Sequence, residues 1–512
     1  MTADDRIRNT RLSGGSLSDT DSSVLSLPDP EKAHKPSSDS SRTPPRTTDI
    51  EAAVQQQGQP APQSSDDDSG SPNSYAQGYG TTTSNEKEGD ALERLPSAAT
   101  TIDFPEGGTT GWLVVFGSFC AMLSLFGLIN SAAVFESYFS TNQLVENTPS
   151  EIGWIFSLYL FIVFFVGIQV GPIFDRFGAR VLVAVGSLLI VLSLVLLSWC
   201  DEYYQIILTY SVMGGLGGAL LNCPAYGSIA HFFNVRRGLA TGIATTAGGV
   251  GGVVFPALLR ELLPGVGFAW SCRILAFIML GLAIPSNLFI RTRLLPAKGE
   301  DGRPKVQSVW PDFSVFKDAR FAFASVGIFF MEWGLFIPLT YIVSFAAAYG
   351  QDATESYLLL SYLNAGSVVG RVLPGFLADR FGRFNIIILT IALCVITVLA
   401  MWLPAGTSNS LLIAYAVLFG FASGSNLGLV PVCLGQLCDH RRYGRLFSTA
   451  MMVASFGTLS SVPIGGALLD SGPGEHGWKS VIIFSGMAYF VALVCYTTAR
   501  VLAVGWSPRT VF

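Results

Sequence analysis

The chain has 512 residues, half of them hydrophobic and only 13% charged, about half the charged share of an ordinary soluble domain. Its net charge of −5 sits at one end: residues 1–106 hold 18 of the 36 acidic residues and 9 of the 31 basic ones, leaving the remainder slightly basic. An acidic, polar end joined to a long apolar body excludes nucleic acid as a partner and makes a bilayer the expected solvent.

Residues 1–106 are rich in Ser, Thr, Pro, Gln and Asp, with Gln55-Gln56-Gln57 and Asp66-Asp67-Asp68 as runs. No apolar period appears, so this stretch buries too little surface to offset its ordering entropy and is expected to be a disordered tail. Met1 to Asp5 offer no basic segment followed by an apolar one, so no cleaved signal peptide is expected. From Gly111 onward, apolar runs of membrane length follow one another, about 20 residues each. Twelve are expected, near 112–135, 152–174, 181–199, 204–231, 238–262, 269–290, 320–348, 355–378, 384–403, 410–437, 446–468 and 479–504. The longest connector, 291–319, divides them into halves of six helices, 107–290 and 320–505. The predicted class is an all-α, multi-pass membrane protein. The eight cysteines show no CxxC spacing, so neither a metal nor a disulfide framework is expected.

Basic residues occupy alternate loops: Arg176 and Arg180; Arg236 and Arg237; the 291–319 connector; Arg380 and Arg383; Arg441, Arg442 and Arg445. The positive-inside tendency then puts these loops, both termini and the connector in the cytosol.

One of these basic loops is a repeated turn. Gly171-Pro172-Ile173-Phe174-Asp175-Arg176-Phe177-Gly178 returns 204 residues later as Gly375-Phe376-Leu377-Ala378-Asp379-Arg380-Phe381-Gly382. Asn222 and Asn426 share that offset, and Pro256 and Pro463 interrupt the fifth and eleventh runs. Repetition in the same order indicates two duplicated helical halves.

Twelve helices with a Gly-x3-Asp-Arg-x-Gly turn after helices 2 and 8 resemble the major facilitator superfamily, over about 107–505. The resemblance implies that the turn latches a cytosolic gate, with Gly171, Asp175, Arg176, Gly178, Arg180, Gly375, Asp379, Arg380 and Gly382 as gate residues. Glu106-Gly107-Gly108-Thr109-Thr110-Gly111-Trp112 and Phe232 to Ala244 are similar to two signatures of the monocarboxylate-porter family in its fungal form. The chain departs from the animal members, which carry a helix 1 lysine where Asn130 stands and an Asp where Ser367 precedes Arg371. Simple monocarboxylate–proton symport is therefore not the expectation. The run Gly248-Gly249-Val250-Gly251-Gly252 reads as close helix packing.

An ionisable residue inside a bilayer costs at least about 2.5–3.5 kcal/mol and needs a partner or a task. Glu332, twelve residues past Arg320, lies roughly 18 Å into helix 7. Arg371, eight residues before Asp379, lies roughly 12 Å in. The two are candidates for an ion pair, with Glu332 as proton carrier and Arg371 as anchor for an anionic or polar substrate group. Asn130, Asn222, Tyr341, Asn364 and Asn426, at similar depth, are candidates to line a cavity or to bond between helices. His231 reads as a surface residue at the end of helix 4. No nucleotide-binding loop or catalytic constellation appears, so no cofactor, nucleotide or enzymatic activity is expected. The expected function is alternating-access transport of a small organic molecule across the plasma membrane, coupled to protons. Efflux of a secondary metabolite leads, with import of a carboxylate or vitamin-like compound, or a non-transporting sensor, as alternatives.

Overall fold

A computed structural model describes residues 103–294, 308–470, 472, 474–507 and 510–512. The tail expected over 1–102 and residues 295–307 of the connector lie outside the described residues. Ten helices among the described residues are long and apolar enough to span a bilayer. They are Gly108–Thr141 (α1), Ser150–Phe177 (α2), Arg180–Leu197 (α3), Tyr203–Phe232 (α4), Arg237–Phe289, Ala319–Ala348 (α7), Arg383–Trp402 (α9), Asn409–Gln436 (α10), His440–Asp470 (α11) and Glu475–Val504 (α12). The 53-residue helix breaks at Gly267, whose φ of 78° no helix interior accommodates, and so forms two passes, 237–266 (α5) and 268–289 (α6). Ala353–Phe381 (α8) is 29 residues long but less apolar, because Glu355, Arg371, Asp379 and Arg380 lie on it. With those two adjustments the described residues hold twelve membrane-length helices, six before residue 290 and six after residue 318.

The outward faces are apolar at helical spacing. Along α3 these are Val181, Val185, Leu188 and Leu192; along α6 they are Phe277, Leu280, Ile284 and Leu288. Such stripes, exposed on a chain whose polar residues point inward, fit lipid rather than water. Inside, aromatic residues tie helices together away from the repeated turn. Phe135 and Phe139 of α1 meet Tyr210 of α4 and Phe268 of α6 with ring centroids 5.7–6.4 Å apart. Local chemistry sets the helix starts. Thr148 and Glu151 form a reciprocal cap ahead of α2, and Asp318 accepts the Arg320 N–H at the start of α7. Gly178 and Gly382 close the two copies of the turn at φ 84° and 99°, which explains why both positions are glycine.

Small residues let α8 lie directly on α5. A side chain at Gly242, Gly248 or Gly252 would collide with the Arg371 carbonyl, the Arg371 guanidinium or the Asn364 side chain. The glycine run is therefore a track for α8, as expected of close packing. It brings a helix of the second half against one of the first along much of their length.

Candidate functional site: a two-latch gate and an inner polar cluster

At the end of the bundle that carries the repeated turns, two carboxylates reach from one half to the other. Asp175, at the end of α2, accepts the Gly444 and Arg445 N–H groups of α11, both at 2.9 Å. Asp379, at the end of α8, accepts the Gly238 and Leu239 N–H groups of α5, at 2.8 and 2.9 Å. Each carboxylate thus sits on the first turn of a helix, where unpaired N–H groups and the helix dipole favour an anion. The glycines four residues earlier make this approach possible. A Cβ at Gly171 would collide with the Gly444 carbonyl and Ser448 Oγ, and one at Gly375 would lie 2.5 Å from the Gly238 carbonyl.

Two of the motif arginines lie against aromatic rings. Arg176 lies over the Phe177 ring at 4.9 Å and Arg380 over Phe376 at 4.3 Å, while Arg180 is exposed. The bonding falls instead to Arg383, 3.9 Å from Asp379 and donating to the Asn234 carbonyl, and to Arg445, which donates to the Ser308 carbonyl.

Residues 103–106 join the same region. The Glu106 carboxylate accepts the N–H groups of Asn234, Val235 and Arg236 at 2.7, 2.7 and 3.1 Å, and Phe104 packs on His440 with centroids 5.0 Å apart. This segment is thereby held, where the tail was expected to continue to residue 106. His231, expected at the surface, is buried instead: it stacks on Phe174 with centroids 5.4 Å apart, and neither ring nitrogen has a hydrogen-bond partner among the described residues.

Deeper in the bundle, three of the predicted polar residues converge on α5. Asn130, where α1 is interrupted before Ser131, donates to the Gly248 carbonyl at 3.1 Å and to Phe126 within its own helix. Arg371 donates to the Thr245 carbonyl and, at 3.1 Å, to Ser367 Oγ. Ser367, standing where the porter resemblance called for an Asp, thus still bonds to the arginine but supplies no charge. Asn364, one helical turn before Val368, faces Gly252.

The other candidates lie elsewhere. Glu332 of α7 is buried beside Gly457 of α11 and makes no hydrogen bond or ion pair among the described residues, so the expected pair with Arg371 is not formed. Tyr341 donates to the Val462 carbonyl at 2.9 Å, tying α7 to α11. Asn426 accepts from Thr390 Oγ1 at 2.9 Å and donates to Cys394 Sγ at 3.4 Å, bonding α10 to α9. Asn222 is equally buried, yet its carbonyl oxygen has no partner among the described residues.

Tyr226 was not among the residues that the sequence singled out. It lies on α4 four residues after Asn222 and packs its ring on Phe447 of α11 with centroids 5.1 Å apart, so that it reaches from the first half to the second. The helical i, i+4 relation to Asn222 was a signal that could have found it.

The profile of the Major Facilitator Superfamily matches residues 114–433. The chain belongs to that superfamily. The fungal monocarboxylate-porter assignment carried by Glu106–Trp112 and Phe232–Ala244 stands with it. Among relatives in the superfamily, the MFS-type transporter opdF of Penicillium oxalicum is 37% identical over 83% of this chain and 97% of its own length. The riboflavin transporter MCH5 of Saccharomyces cerevisiae is 36% identical over 84% of this chain and 85% of its own. The fujikurins efflux protein of Gibberella fujikuroi is 35% identical over 78% and 84%. Among solved structures, the transporter FucP in its outward conformation matches with a TM-score of 0.59 at 15% identity, over 76% of this chain and 99% of that one. That likeness bears on the fold. As a superfamily member, the chain is an integral, multi-pass membrane transporter of a small molecule and not an enzyme.

Proposed function

We propose that this superfamily transporter exports a small organic metabolite across the plasma membrane by proton-coupled alternating access. The end carrying the repeated turns faces the cytosol, as the basic loops suggest, so the two closed latches correspond to an outward-facing arrangement. The halves 107–290 and 320–505 rock about the cluster of Asn130, Arg371 and Asn364. The observation that carries the coupling is Glu332, a carboxyl enclosed between helices with no hydrogen-bond or ion-pair partner among the described residues. A buried acid without a counter-ion is suited to take up a proton when solvent reaches it and to release it from the other side. Arg371, bonded among the described residues to a backbone carbonyl and a serine, keeps its charge available to an anionic or polar substrate group. Efflux is favoured because the fujikurins efflux protein is among the relatives. A second reading, uptake of a vitamin-like compound, has the riboflavin transporter in its favour.

The test compares metabolites inside and outside cells of a deletion strain and an overexpressing strain, in medium buffered at two pH values. Retention on deletion and enrichment outside on overexpression, at rates that follow the proton gradient, is the expected result. Depletion from the medium only when the protein is present would favour uptake. Full transport with unchanged pH dependence in Glu332→Gln would sink the proton role.

A further inference from the structure

Residues 308–317, which lead from the connector into α7, touch both halves at the latched end. Gln169 of α2 donates its side-chain N–H to the Val309 carbonyl at 3.0 Å, and Arg445 of α11 donates to the neighbouring Ser308 carbonyl. The donors come from opposite halves, so two adjacent carbonyls span the seam between α2 and α11. Parting that seam breaks at least one of the two bonds.

The crossing lies on the outer face of the bundle. Phe165, Gln169, Ile173 and Phe177 recur at helical spacing along α2, with Phe165 and Phe177 exposed and the other two half-buried. Gln169 is the polar member of this stripe, eight residues before Phe177, roughly 12 Å along the helix from its end. The Val309 carbonyl therefore meets α2 well short of the helix end. Trp310, the next residue, is 73% exposed, and Phe313 is 58% exposed. Large aromatic side chains laid bare at that depth, beside an exposed apolar stripe, match the layer where headgroups give way to acyl chains. A tryptophan there keeps its N–H in the polar layer and its rings out of water. The acid of this segment, Asp312, is turned inward onto the Ser314 N–H and hydroxyl, at 3.0 and 2.6 Å, where it starts the short turn Phe313–Lys317.

We propose that residues 308–317 form a membrane-seated clasp. Trp310 and Phe313 sit in the headgroup–acyl boundary of the leaflet on the latched side, and the bilayer thereby keeps Ser308 and Val309 across the α2–α11 seam. What the clasp recognises is an apolar layer under a polar one, not a particular headgroup. The inference is independent of the cargo, the proton role and the direction of transport.

The first test places a nitroxide at Phe313→Cys, with Trp310 intact, in full-length protein at one chain per phosphatidylcholine nanodisc. Its collisions with oxygen, which concentrates among acyl chains, are compared with those of a water-soluble nickel chelate. Leu188→Cys on the exposed stripe of α3 is the lipid reference, and Glu146→Cys, exposed between α1 and α2, is the water reference. The label is expected nearer to Leu188 than to Glu146. A reading nearer to Glu146 means open water, or a face that only a second copy would cover, and overturns the proposal.

The second test reads the opened-to-closed ratio from donor–acceptor dyes at Phe177→Cys and Phe381→Cys, both exposed at the latched end. Trp310→Ser with Phe313→Ser should raise that ratio about fivefold, the worth of one bridging hydrogen bond. Trp310→Phe with Phe313→Leu keeps the seat apolar and should leave the ratio near its unaltered value. Gln169→Leu cuts the bridge from the α2 side and should raise the ratio as much as the serines do. Combined with them it should add nothing, because both changes undo the same bridge. An unchanged ratio with the serines or with Gln169→Leu, effects that multiply, or equal opening by the conservative pair each overturns the clasp. Should the serine variant fail to fold, the nitroxide reading and Gln169→Leu still decide.

Discussion

The two copies of the repeated turn do the same job by different means. Asp175 and Asp379 each cap the first turn of a helix from the opposite half, through two backbone N–H groups and over a glycine contact. Around them the surroundings diverge. Asp379 has Arg383 one turn away at 3.9 Å, while the matching position after Asp175 is Ala179. The Asp175 latch is instead braced by the end of the connector, where the Ser308 and Val309 carbonyls accept from Arg445 and Gln169. The repeated residues carry the shared mechanics, and the unrepeated ones distinguish the halves. The same holds deeper in: Asn426 is satisfied and its repeat partner Asn222 is not, and the place matching Arg371 is Gly167.

Removing both latches should have the largest effect. Asp175→Asn with Asp379→Asn takes away four hydrogen bonds to an ionised acceptor, each worth about 1.5–3 kcal/mol, and replaces them with weaker neutral ones. A donor–acceptor dye pair at Phe177→Cys and Phe381→Cys, two exposed positions at the latched end, should report an end that no longer stays closed, at any pH. Among the single changes, Asp175→Asn is expected to open the end further than Asp379→Asn, because Asp175 is the more enclosed and has Ala179 where Asp379 has Arg383. Equal effects would show that the differing surroundings are without consequence.

The glycine contacts sharpen the comparison. Gly171→Ala would drive a methyl group into backbone, which in a packed interface costs about 1–3 kcal/mol. Gly375→Ala meets the Gly238 carbonyl at 2.5 Å and should cost less. Thermal unfolding in detergent, together with the dye-pair signal, would separate loss of fold from loss of latching.

The sequence made the gate far more legible than the site, for a physical reason. Gate residues are repeated, polar and set between apolar runs, so Gly171, Asp175 and their copies stand out at one offset. The capping role of the aspartates follows from a carboxylate placed near a helix start. That Arg383 and Arg445, and not Arg176 and Arg380, make the bonds depends on how side chains turn at the ends of α8 and α11, which spacing alone leaves open. At the inner cluster the sequence identified which ionisable residues are buried but not which of them meet. Glu332 and Arg371 lie on consecutive helices, yet α8 turns its arginine onto the glycine track of α5 while Glu332 turns toward α11 and α12. Tyr226 escaped because its place one turn after Asn222 is a weak signal until its neighbours are known. His231 misled for the converse reason: a polar residue at a helix end reads as exposed unless a neighbouring helix covers it, as α2 does through Phe174.

The smaller test concerns the two asparagines. Asn426→Leu strips Thr390 and Cys394 of their partner in a packed interior, so it should lower stability by about 1–3 kcal/mol. Asn222→Leu removes a carbonyl oxygen that has no partner among the described residues, so stability should hold or rise slightly. Thermal unfolding of the two variants side by side gives the difference directly. If Asn222 serves the transported molecule, its variant should keep its fold and lose transport of the compound that the metabolite comparison identifies. The Asn426 variant should lose transport only in proportion to the protein that fails to fold. A stability loss at Asn222 as large as that at Asn426 would mean that its oxygen has a structural partner, and would return both asparagines to the same role.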